Sequence, residues 1–363
     1  MANGEGSHMT TGRQEQAKVR ASVEVLREFA QGCLQKVGVS REDSLIAADV
    51  ILESDLRGIE SHGIVRLKDH YIDRISSGDT NAAPDIRVVH EAPATALMDG
   101  DTGLGLVVGY RAMELAIRKA GQTGAGFVSV TNSRHFGIAG YYPIMAISHD
   151  MIGIAMTNAA PLVLPTFGSR PMLGTNPISV AAPTTTGAPF ILDMATSAVS
   201  AGKFETAMRD GVSIPEGWAL DTDGRPTTDP KIGRTSRRFL PLGSHPEVSN
   251  YKGYGLAIVV DILCGVLSGM GASPGLGRNF GHFFGALRID GFRPASEFKA
   301  MMDEMGADLR ATPTLPGYER VLVPGDKEAE AREERLKEGI PLHAPVAESL
   351  LALSRELGVP LEL

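Results

Sequence analysis

The sequence predicts an α+β fold, in which a mixed, largely antiparallel sheet lobe stands beside a helical lobe built from both ends of the chain. Two patterns indicate this division. Apolar residues recur at helical spacing near both ends, whereas short β-like runs alternate with helical segments between residues 82 and 310. We therefore expect an N-terminal helical lobe over 10–80, a central α+β lobe over 81–310, and a C-terminal segment, 311–363, that returns to the helical lobe.

Three amphipathic helices are predicted in the N-terminal lobe. The third follows a break at Ser61-His62-Gly63 and carries Arg66 near its start. Their apolar faces comprise, in turn, Val23, Val25, Leu26, Phe29 and Leu34; Ala47, Val50, Ile51 and Leu56; and Ile64, Leu67, Tyr71 and Ile75.

The central lobe contains six predicted strands and two long helices. The strands are 94–98, 127–131, 152–157, 178–182, 190–193 and 282–289, and the helices are 107–120 and 254–267. A Pro/Gly/Asp-rich span over 215–230 is expected to be an ordered loop. After a late apolar run at 321–323, which we interpret as a strand, charged helices follow at 327–338 and 345–357.

The composition is that of a globular protein with a large core. The 363 residues are 43% apolar and 21% charged, and a chain of this length favours two lobes over one. The 35 basic and 43 acidic residues give a net charge of −8, and the basic residues form no cluster. We therefore expect no nucleic-acid partner and no membrane partner, and an anionic substrate would have to be held by locally placed cations.

Cysteine usage and hydropathy predict a cytoplasmic protein. Cys33 and Cys264 lie in apolar helical segments without CxxC spacing, which indicates buried free thiols in a reducing compartment. The longest apolar run, 256–267, contains Asp261 and falls short of the roughly 20 residues that a membrane span needs. Residues 1–9 end in the letters GSHM, typical of an expression tag, and we expect no signal peptide before the first helix.

The segment from residue 157 to residue 197 has the composition of backbone that runs close to a ligand. Short apolar runs alternate there with small, polar corners rich in glycine and proline. A second pattern, Gly103-x-Gly105-x-x-x-Gly109, superficially suggests a dinucleotide-binding turn. A Rossmann unit would continue with a strand that ends in an acidic residue about 20 positions on, but the next apolar run ends at Asn132. We therefore interpret this second pattern as an ordinary strand-to-helix turn.

The motif Ser61-His62-Gly63-x-x-Arg66 is a candidate for acid–base chemistry. It places a titratable imidazole at a helix start, one turn from a guanidinium. Oxidation of a 2-hydroxy acid needs both groups: a base to take the hydroxyl proton, and a planar fork to hold the carboxylate. The alternative is a helix cap at Ser61 with a surface histidine and arginine, and spacing alone does not decide between the two.

His135 is a rival for the catalytic base. The motif Asn132-x-x-His135-Phe136-Gly137 follows an apolar strand, so we expect His135 at a strand end that faces a cleft. Alternatively, it is a structural histidine that hydrogen-bonds the loop backbone. Asp193 favours His62, because a carboxylate at the end of a buried strand could fix the tautomer of His62. The other interpretation of Asp193 is a cap for the segment that begins at Ala195.

Two further features concern ion binding. The other histidines of the fold show no HxH, HExxH or carboxylate spacing, so we expect no metal site; they are His70, His90, His149, His245, His282 and His343.

The run Tyr251-Lys252-Gly253-Tyr254-Gly255 opens a long apolar helix and places an ammonium and free backbone N–H groups where a phosphate can bind. The alternative for Lys252 is a surface lysine that packs its stem on the protein.

Together these motifs resemble the malate/L-lactate dehydrogenase family, whose members use NAD(P) without a Rossmann domain. The His62 motif, the His135 motif, the segment 157–197 and Lys252-Gly253-Tyr254-Gly255 occur in the order typical of that family. The resemblance extends from about residue 15 to residue 358, nearly the whole chain.

The resemblance implies a role for each site residue. It implies that His62 donates and accepts the proton, although in some relatives the residue that matches His135 does so, and that Arg66 binds substrate beside Ser61. The implied cofactor contacts lie on one strand, at a helix start and at a late turn: Pro189, Phe190, Ile191, Leu192, Asp193, Met194, Ala195, Tyr251, Lys252, Gly325, Asp326 and Lys327.

The function implied by the resemblance is hydride transfer between NAD or NADP and a small 2-hydroxy acid or 2-oxo acid, malate-like or lactate-like, by a homodimer. Two alternatives stay open: a reductase of a cyclic imino acid such as piperideine- or pyrroline-2-carboxylate, and a non-catalytic cofactor-binding sensor. Two positions depart from the family pattern. Relatives often have Glu at the position of Asp326, and Ala159 and Ala160 replace a pair that usually bears hydroxyl groups.

Overall fold

The structure, a computed structural model, describes residues 18–275, 277 and 279–363. The expected tag at residues 1–9 and the start of the resemblance near residue 15 lie outside the described residues. The mixed α+β fold confirms the predicted class. In the part of the chain that is described, no helix has the length and apolar composition needed to cross a lipid bilayer.

The described residues form the following helices and strands. The helices are α1 (Val23–Lys36), α2 (Arg41–Leu56), α3 (Asp73–Ser76), α4 (Gly105–Thr123), α5 (Tyr141–Ile147), α6 (Ala201–Asp210), α7 (Pro230–Ser236), α8 (Tyr251–Val260), α9 (Ala295–Arg310), α10 (Asp326–Glu338) and α11 (Ala344–Leu357). The strands are β1 (Lys18–Ala21), β2 (Arg87–Glu91), β3 (Thr95–Asp99), β4 (Ala125–Ser133), β5 (Met151–Thr157), β6 (Ile178–Ala182), β7 (Phe190–Met194), β8 (Phe280–Arg288) and β9 (Ile340–His343).

Seven strands form one open sheet in the order β2-β3-β4-β8-β5-β6-β7. Its neighbours pair antiparallel except for β3 and β4, which are parallel and joined by α4. A glycine at position 126 lets α4 pack closely on the sheet, since a Cβ there would overlap the backbone of Ala116. The sheet places the end of β4 and the end of β7 on the side where the histidine motifs lie.

The N-terminal helices share one hydrophobic core with the C-terminal segment. Leu26, Phe29 and Ile51 from α1 and α2 are completely buried, and Leu350 and Leu353 of α11 belong to the same cluster. β9 pairs antiparallel with β1, which ties the two ends of the chain together. We keep the three segments 10–80, 81–310 and 311–363 as the proposed division of the chain.

A third hydrophobic cluster surrounds α6. It contains Val163, Phe204 and Phe239 among its buried members, and Trp218 packs against it. The predicted loop at 215–230 borders this cluster, and the sheet has a separate core beneath α4 and α5. As a result, α6 is fixed on one side by its own apolar core and is free to present a polar face to the N-terminal lobe.

Several predicted elements differ from the observed ones. The third helix does bury Ile64, Leu67, Tyr71 and Ile75 as its spacing predicted. Its first part, however, is a 3-10 turn, Ile64–Arg66, and a π-helix, Leu67–Ile72, before α3 begins. Residues 321–323 form no strand, so the prediction of a late strand is wrong. The strands β1, β2 and β9 were not predicted, because they are short and β2 is exposed along its whole length.

Candidate active site

A short turn after α2 carries the first histidine motif. The 3-10 turns Glu60–His62 and Ile64–Arg66 meet at Gly63 and place His62 and Arg66 on one side of the N-terminal lobe. The π-helix that follows brings His70 to the same side. Because π-helical turns occur frequently at functional sites, this irregularity marks the segment as more than a structural helix.

Three imidazole rings lie together at this point. The rings of His62 and His135 stack with centroids 5.6 Å apart and an angle of 17° between their planes. The ring of His70 meets that of His135 edge-on, with centroids 5.4 Å apart. His135 lies two residues beyond the end of β4, as its motif predicted. The two rival histidines of the sequence are thus members of one cluster.

His70 is a site residue that the sequence analysis missed. It was set aside because it lies outside any metal-binding spacing, yet its ring contacts His135 and its Nδ1 is buried without a hydrogen-bond partner. A signal was available in the sequence. His70 follows Arg66 by four positions on a helical segment, the spacing that places two side chains on one face.

Hydrogen bonds distinguish the two stacked histidines. His62 Nδ1 lies 2.9 Å from the hydroxyl of Ser61. His135 Nδ1 accepts a hydrogen bond from the Gly137 N–H at 3.3 Å and lies 3.2 Å from the Tyr71 hydroxyl. Since an acceptor nitrogen carries no proton, the neutral ring of His135 bears its proton on Nε2.

The environment keeps the three imidazoles neutral at physiological pH. Burial, with a smaller contribution from the Arg66 guanidinium, lowers the pKa of His62 to about 4 and that of His70 to about 4. Burial and the neighbouring imidazoles hold the pKa of His135 well below its usual range. Strongly shifted pKa values beside a cation make this cluster a candidate functional site.

Arg66 is held by the turn that carries His62 and by α6. Its Nε donates to the carbonyl of Ser61 at 2.7 Å, and its Nη2 donates to Glu205 Oε2 at 2.9 Å. The other carboxylate oxygen of Glu205 lies 3.5 Å from Arg234. Two of the five guanidinium N–H groups of Arg66 are used in these bonds, which leaves three for a ligand.

Glu205 is a second site residue that the sequence analysis missed. It lies 139 positions from Arg66, and no local pattern connects the two. The close approach of α6 depends on Gly202, because a Cβ at that position would collide with the side chain of Ser61. The polar face of α6 therefore forms one wall of the candidate site.

The predicted contact between Asp193 and His62 is absent from the described structure. Asp193 Oδ2 instead accepts a hydrogen bond from the Gly140 N–H at 2.7 Å, and the partner of His62 is Ser61. Burial raises the pKa of Asp193 to about 6, while the Gly140 N–H opposes that shift. The alternative role as a cap for a helix at Ala195 is also wrong, since α6 begins at residue 201. Asp193 thus anchors the loop that follows His135.

A cavity of about 610 Å³ lies between α2, α5, β7 and α10. Its volume falls in the range of small-molecule sites, which is roughly 300–1,000 Å³. Three of the predicted cofactor residues line it, namely Pro189, Ile191 and Gly325. Gly325 has φ +102° and a Cβ there would come within 3.1 Å of Ile191 N and Pro189 O, so the wall requires glycine. These features fit a nicotinamide dinucleotide.

β7 connects the wall of this cavity to the loop that follows His135. Ile191 lines it, and Asp193, two positions along the same strand face, reaches the loop after His135. Residues alternate between the faces of a strand, so these two side chains point the same way. Tyr141, at the start of α5, forms the opposite wall next to Gly140.

The other predicted cofactor residues lie in several places. Phe190 lines a neighbouring cavity of about 210 Å³, and Leu192 and Met194 continue β7. Asp326 begins α10, but its carboxylate accepts two hydrogen bonds from Arg310 and one from the Val323 N–H. Three of the predicted residues are exposed at helix starts: Tyr251 and Lys252 on α8, and Lys327 on α10. Ala195 follows β7 directly.

The segment after β5 forms a rigid corner. The Ala159 N–H donates to Asn176 Oδ1 at 3.1 Å, and the Asn176 amide donates to the Ala257 carbonyl of α8. Asn158 is buried and accepts from the Gly281 N–H. Backbone and side-chain amides thus hold this corner where the family pattern has hydroxyl groups.

Comparison with known proteins identifies the family of this chain. A sequence model of the malate/L-lactate dehydrogenase family matches residues 21–351. The chain is 47% identical to malate dehydrogenase of Pyrococcus abyssi over 348 residues, which cover 94% of this chain and 96% of that protein. It is 41% identical to L-sulfolactate dehydrogenase of Methanocaldococcus jannaschii over 337 residues, 91% of this chain and 94% of that protein.

A solved structure shows the same fold. The crystal structure of malate dehydrogenase from Entamoeba histolytica matches with a TM-score of 0.93 at 36% identity, and covers 96% of this chain and 100% of that chain. Fold and site together define an oxidoreductase that acts on CH–OH groups with a nicotinamide cofactor. The chain belongs to the malate/L-lactate dehydrogenase family.

Proposed function

We propose that this protein interconverts a small, malate-like 2-hydroxy acid and its 2-oxo acid with NAD or NADP. The observation that carries the proposal is the cluster of neutral imidazoles in which His62 shares its turn with Arg66. Acid–base catalysis on a carboxylate substrate requires these two kinds of group.

Arg66 would hold the substrate carboxylate. Its backbone-anchored Nε fixes the plane of the guanidinium, and its three remaining N–H groups allow a bidentate pair with a carboxylate. Because the side chain is only 15% exposed, such a pair forms with little competition from water.

His62 would exchange the substrate proton, and His135 would donate a hydrogen bond. If the Ser61 hydroxyl accepts from Nδ1 of His62, the lone pair of His62 Nε2 is free to take a proton. The acceptor nitrogen of His135 is already occupied by Gly137, so its Nε2–H can only donate. This difference supports His62 over His135 as the acid–base group. Asp193 contributes by holding the loop that carries His135.

The cavity residues would bind the cofactor. Pro189, Ile191 and Gly325 would line its path, and its phosphates would lie near Lys252 at the start of α8 and near Lys327 in the 325–327 turn, since cations and helix N-termini favour anions. A bound nicotinamide supplies or accepts the hydride. The chain's own part is to orient the two reactants and to exclude water around the buried imidazoles.

The named relatives favour a hydroxy acid over the two alternatives. The proteins of 47% and 41% identity are a malate and an L-sulfolactate dehydrogenase, whose named substrates are 2-hydroxy acids that bear a second acidic group. They give no support to a cyclic imino acid reductase or to a non-catalytic sensor. We therefore propose a malate-like substrate ahead of a lactate-like one.

We propose a homodimer that assembles through α8 and its π-helical continuation, Asp261–Val266. One side of this segment is buried, yet apolar residues at helical spacing on the other side remain exposed: Leu256, Val259, Ile262 and Val266, at 38%, 43%, 50% and 63%. A contiguous exposed apolar face of this kind marks an interaction site. Light scattering should give twice the chain mass, and replacement of Ile262 by Glu should shift the protein towards monomer.

We also propose a cytoplasmic location. Cys33 and Cys264 are buried free thiols, as the sequence predicted, and burial raises the pKa of Cys33 to about 12. Unreactive buried thiols are compatible with a reducing compartment.

The function is tested by mixing the protein with NADH or NADPH and a panel of 2-oxo acids, while the absorbance of the reduced nicotinamide is followed. Oxaloacetate should be reduced faster than pyruvate, and acetone, which lacks a carboxylate, should be inert. Cofactor binding without oxidation in any mixture would favour the sensor, and oxidation with only the cyclic imines would favour the imino acid reductase.

A further inference from the structure

A buried carboxylate outside the proposed mechanism lies directly beneath the catalytic turn. Asp55, in the last turn of α2, is 3% exposed. Its Oδ2 accepts a hydrogen bond of 2.6 Å from the Ile64 N–H. Ile64 lies between His62 and Arg66, so this bond ties α2 to the peptide that separates the two proposed catalytic groups.

Gly63 shows how closely the carboxylate meets this turn. A Cβ at position 63 would coincide with the carboxylate of Asp55, so no other residue fits while Asp55 keeps its place. The glycine of the His62 motif is therefore explained by contact with Asp55. Its φ of −86° lies outside the left-handed region, so the constraint that we use here is the steric contact with Asp55.

Asp55 is itself held from the C-terminal segment. Arg335 of α10 donates to the backbone carbonyl of Asp55 at 2.6 Å and to Glu60 Oε1 at 2.8 Å. The same helix begins at the turn beside Gly325, which lines the cofactor cavity. Asp55 and Glu60 are thus fixed to a rigid element that also borders the proposed cofactor site.

We propose that Asp55 is the positioning residue of the catalytic turn, and that it acts by accepting the Ile64 N–H and by seating Gly63. The proposal rests on the proposed function for its catalytic consequence. It assigns Asp55 no contact with substrate or cofactor. Its effect passes through the backbone to His62 and Arg66 together, which predicts a joint change in turnover and in substrate binding.

The acceptor, and not the charge, is the essential property. Burial raises the pKa of Asp55 to about 7, against the opposing effects of the Ile64 N–H and Arg335. A carboxyl group that is partly protonated at neutral pH still offers a carbonyl oxygen to the Ile64 N–H. An asparagine has the same shape and the same acceptor, so it should replace Asp55 with little loss.

The experiment compares four variants with the wild type: Asp55→Asn, Asp55→Ala, Gly63→Ala and the double variant Asp55→Ala/Gly63→Ala. The control is Asp49→Asn, which removes an exposed acid of the same helix that pairs with Arg27. Two quantities are measured: amide hydrogen exchange in the peptide that contains residues 60–66, and kcat and KM for the 2-oxo acid that the wild type reduces. NADH binding, followed by fluorescence, serves as the check on folding.

Asp55→Ala and Gly63→Ala should each accelerate exchange in this peptide, lower kcat and raise KM. The combined loss in kcat/KM should be roughly 100-fold, the size expected for a displacement of about 1 Å. The double variant should be no worse than the poorer single variant, since both changes break one contact. Asp55→Asn should stay within about threefold of the wild type in kcat/KM, and Asp49→Asn should be unchanged.

Two results would overturn the proposal. One is unchanged exchange in both Asp55→Ala and Gly63→Ala, and the other is an Asp55→Asn variant as impaired as Asp55→Ala. If Asp55→Ala fails to fold, the exchange rate of Gly63→Ala and the kcat/KM of Asp55→Asn still test the proposal. If the wild type reduces no 2-oxo acid, the proposed function fails, whereas the exchange data still decide whether Asp55 holds the turn.

Discussion

His62 and His135 stack at a centroid distance of 5.6 Å, but they face different hydrogen-bond partners. Ser61 contacts Nδ1 of His62, and the Gly137 N–H occupies Nδ1 of His135. The two imidazoles therefore differ in whether their Nε2 can accept or donate a proton. When the Ser61 hydroxyl accepts from Nδ1 of His62, His62 can take up a proton at Nε2, whereas His135 can only donate from Nε2 while Gly137 occupies its Nδ1.

The first prediction concerns the pH dependence of kcat/KM. The pKa of His62 is lowered to about 4, so its neutral form predominates at every higher pH. In the proposed mechanism, oxidation of the 2-hydroxy acid needs neutral His62, and its kcat/KM should therefore rise with pH up to about 4 and then level off. Reduction needs the protonated ring, and its kcat/KM should fall about tenfold per pH unit above that value.

Initial rates in both directions between pH 3.5 and pH 8 check this prediction. A group with a pKa near 6.5, the ordinary value for histidine, would show its inflection more than two units higher. An inflection there would mean that the buried, Arg66-flanked environment of His62 does not govern the reaction.

The second prediction concerns Arg66. Lysine keeps the positive charge but cannot form the planar pair with a carboxylate, nor donate to the Ser61 carbonyl while it does so. Arg66→Lys should raise KM about 10- to 100-fold, since a hydrogen bond to a charged group contributes about 1.5–3 kcal/mol. The KM for NADH should not change. A variant with the wild-type KM for the 2-oxo acid would remove Arg66 from substrate binding.

The third prediction concerns Glu205, which occupies part of Arg66 in the absence of substrate. Glu205→Gln should free the guanidinium for the incoming carboxylate and lower KM by about two- to fivefold, because a partly exposed ion pair is worth only about 0–1 kcal/mol. It should also lower the pKa of His62 further, since the carboxylate of Glu205 raises that pKa.

Asp210→Asn is the matched control for Glu205→Gln, because it neutralises an exposed acid of the same helix. An equal fall in KM for both variants would mean that net charge on α6, and not the contact with Arg66, is responsible. A rise in KM for Glu205→Gln would show that Glu205 supports Arg66 in the complex as well.

The fourth prediction concerns the cofactor cavity. Gly325→Ala should weaken NADH binding about tenfold, because the added Cβ meets Ile191 and Pro189 and the left-handed backbone costs about 1–2 kcal/mol for alanine. Gly317→Ala is the control: this glycine has φ +88° but nothing within 4 Å. Fluorescence titration should show weaker NADH binding in Gly325→Ala and unchanged NADH binding in Gly317→Ala. Equal effects at both positions would indicate backbone strain without a role for the cavity wall.

The parts of the site that the sequence predicted are those joined by short spacing. His62 and Arg66 lie four residues apart in adjacent turns, and His135 follows a strand with a clear apolar pattern. The prediction that these residues share a site therefore depended only on contact between two segments of the chain. The α+β class was also predictable, because the spacing of apolar residues in helices and strands is a local pattern. Glu205 reaches Arg66 through the tertiary packing of α6 on Ser61, which no local pattern encodes.

The errors have equally specific causes. Asp193 was assigned to His62 because it ends a buried strand near the predicted histidine site, but its carboxylate accepts the Gly140 N–H just before α5. The third helix buries the predicted apolar residues, and the same pattern is compatible with an α-helix or a π-helix. His70 was missed because the histidines were judged only by the spacing of metal ligands. The informative pattern was the helical spacing between Arg66 and His70, which lies against His135.

The most direct test of the account is kcat for reduction of oxaloacetate, with the preferred nicotinamide at saturation, in the wild type, His62→Ala and His135→Ala. The wild type should be active, and His62→Ala should lose about 10²–10⁴ in kcat, the usual contribution of a general acid–base group. His135→Ala should lose less and should keep the pH dependence of the wild type. Near-wild-type turnover in His62→Ala, with loss of activity and of the pH dependence in His135→Ala, would contradict the account and assign proton exchange to His135.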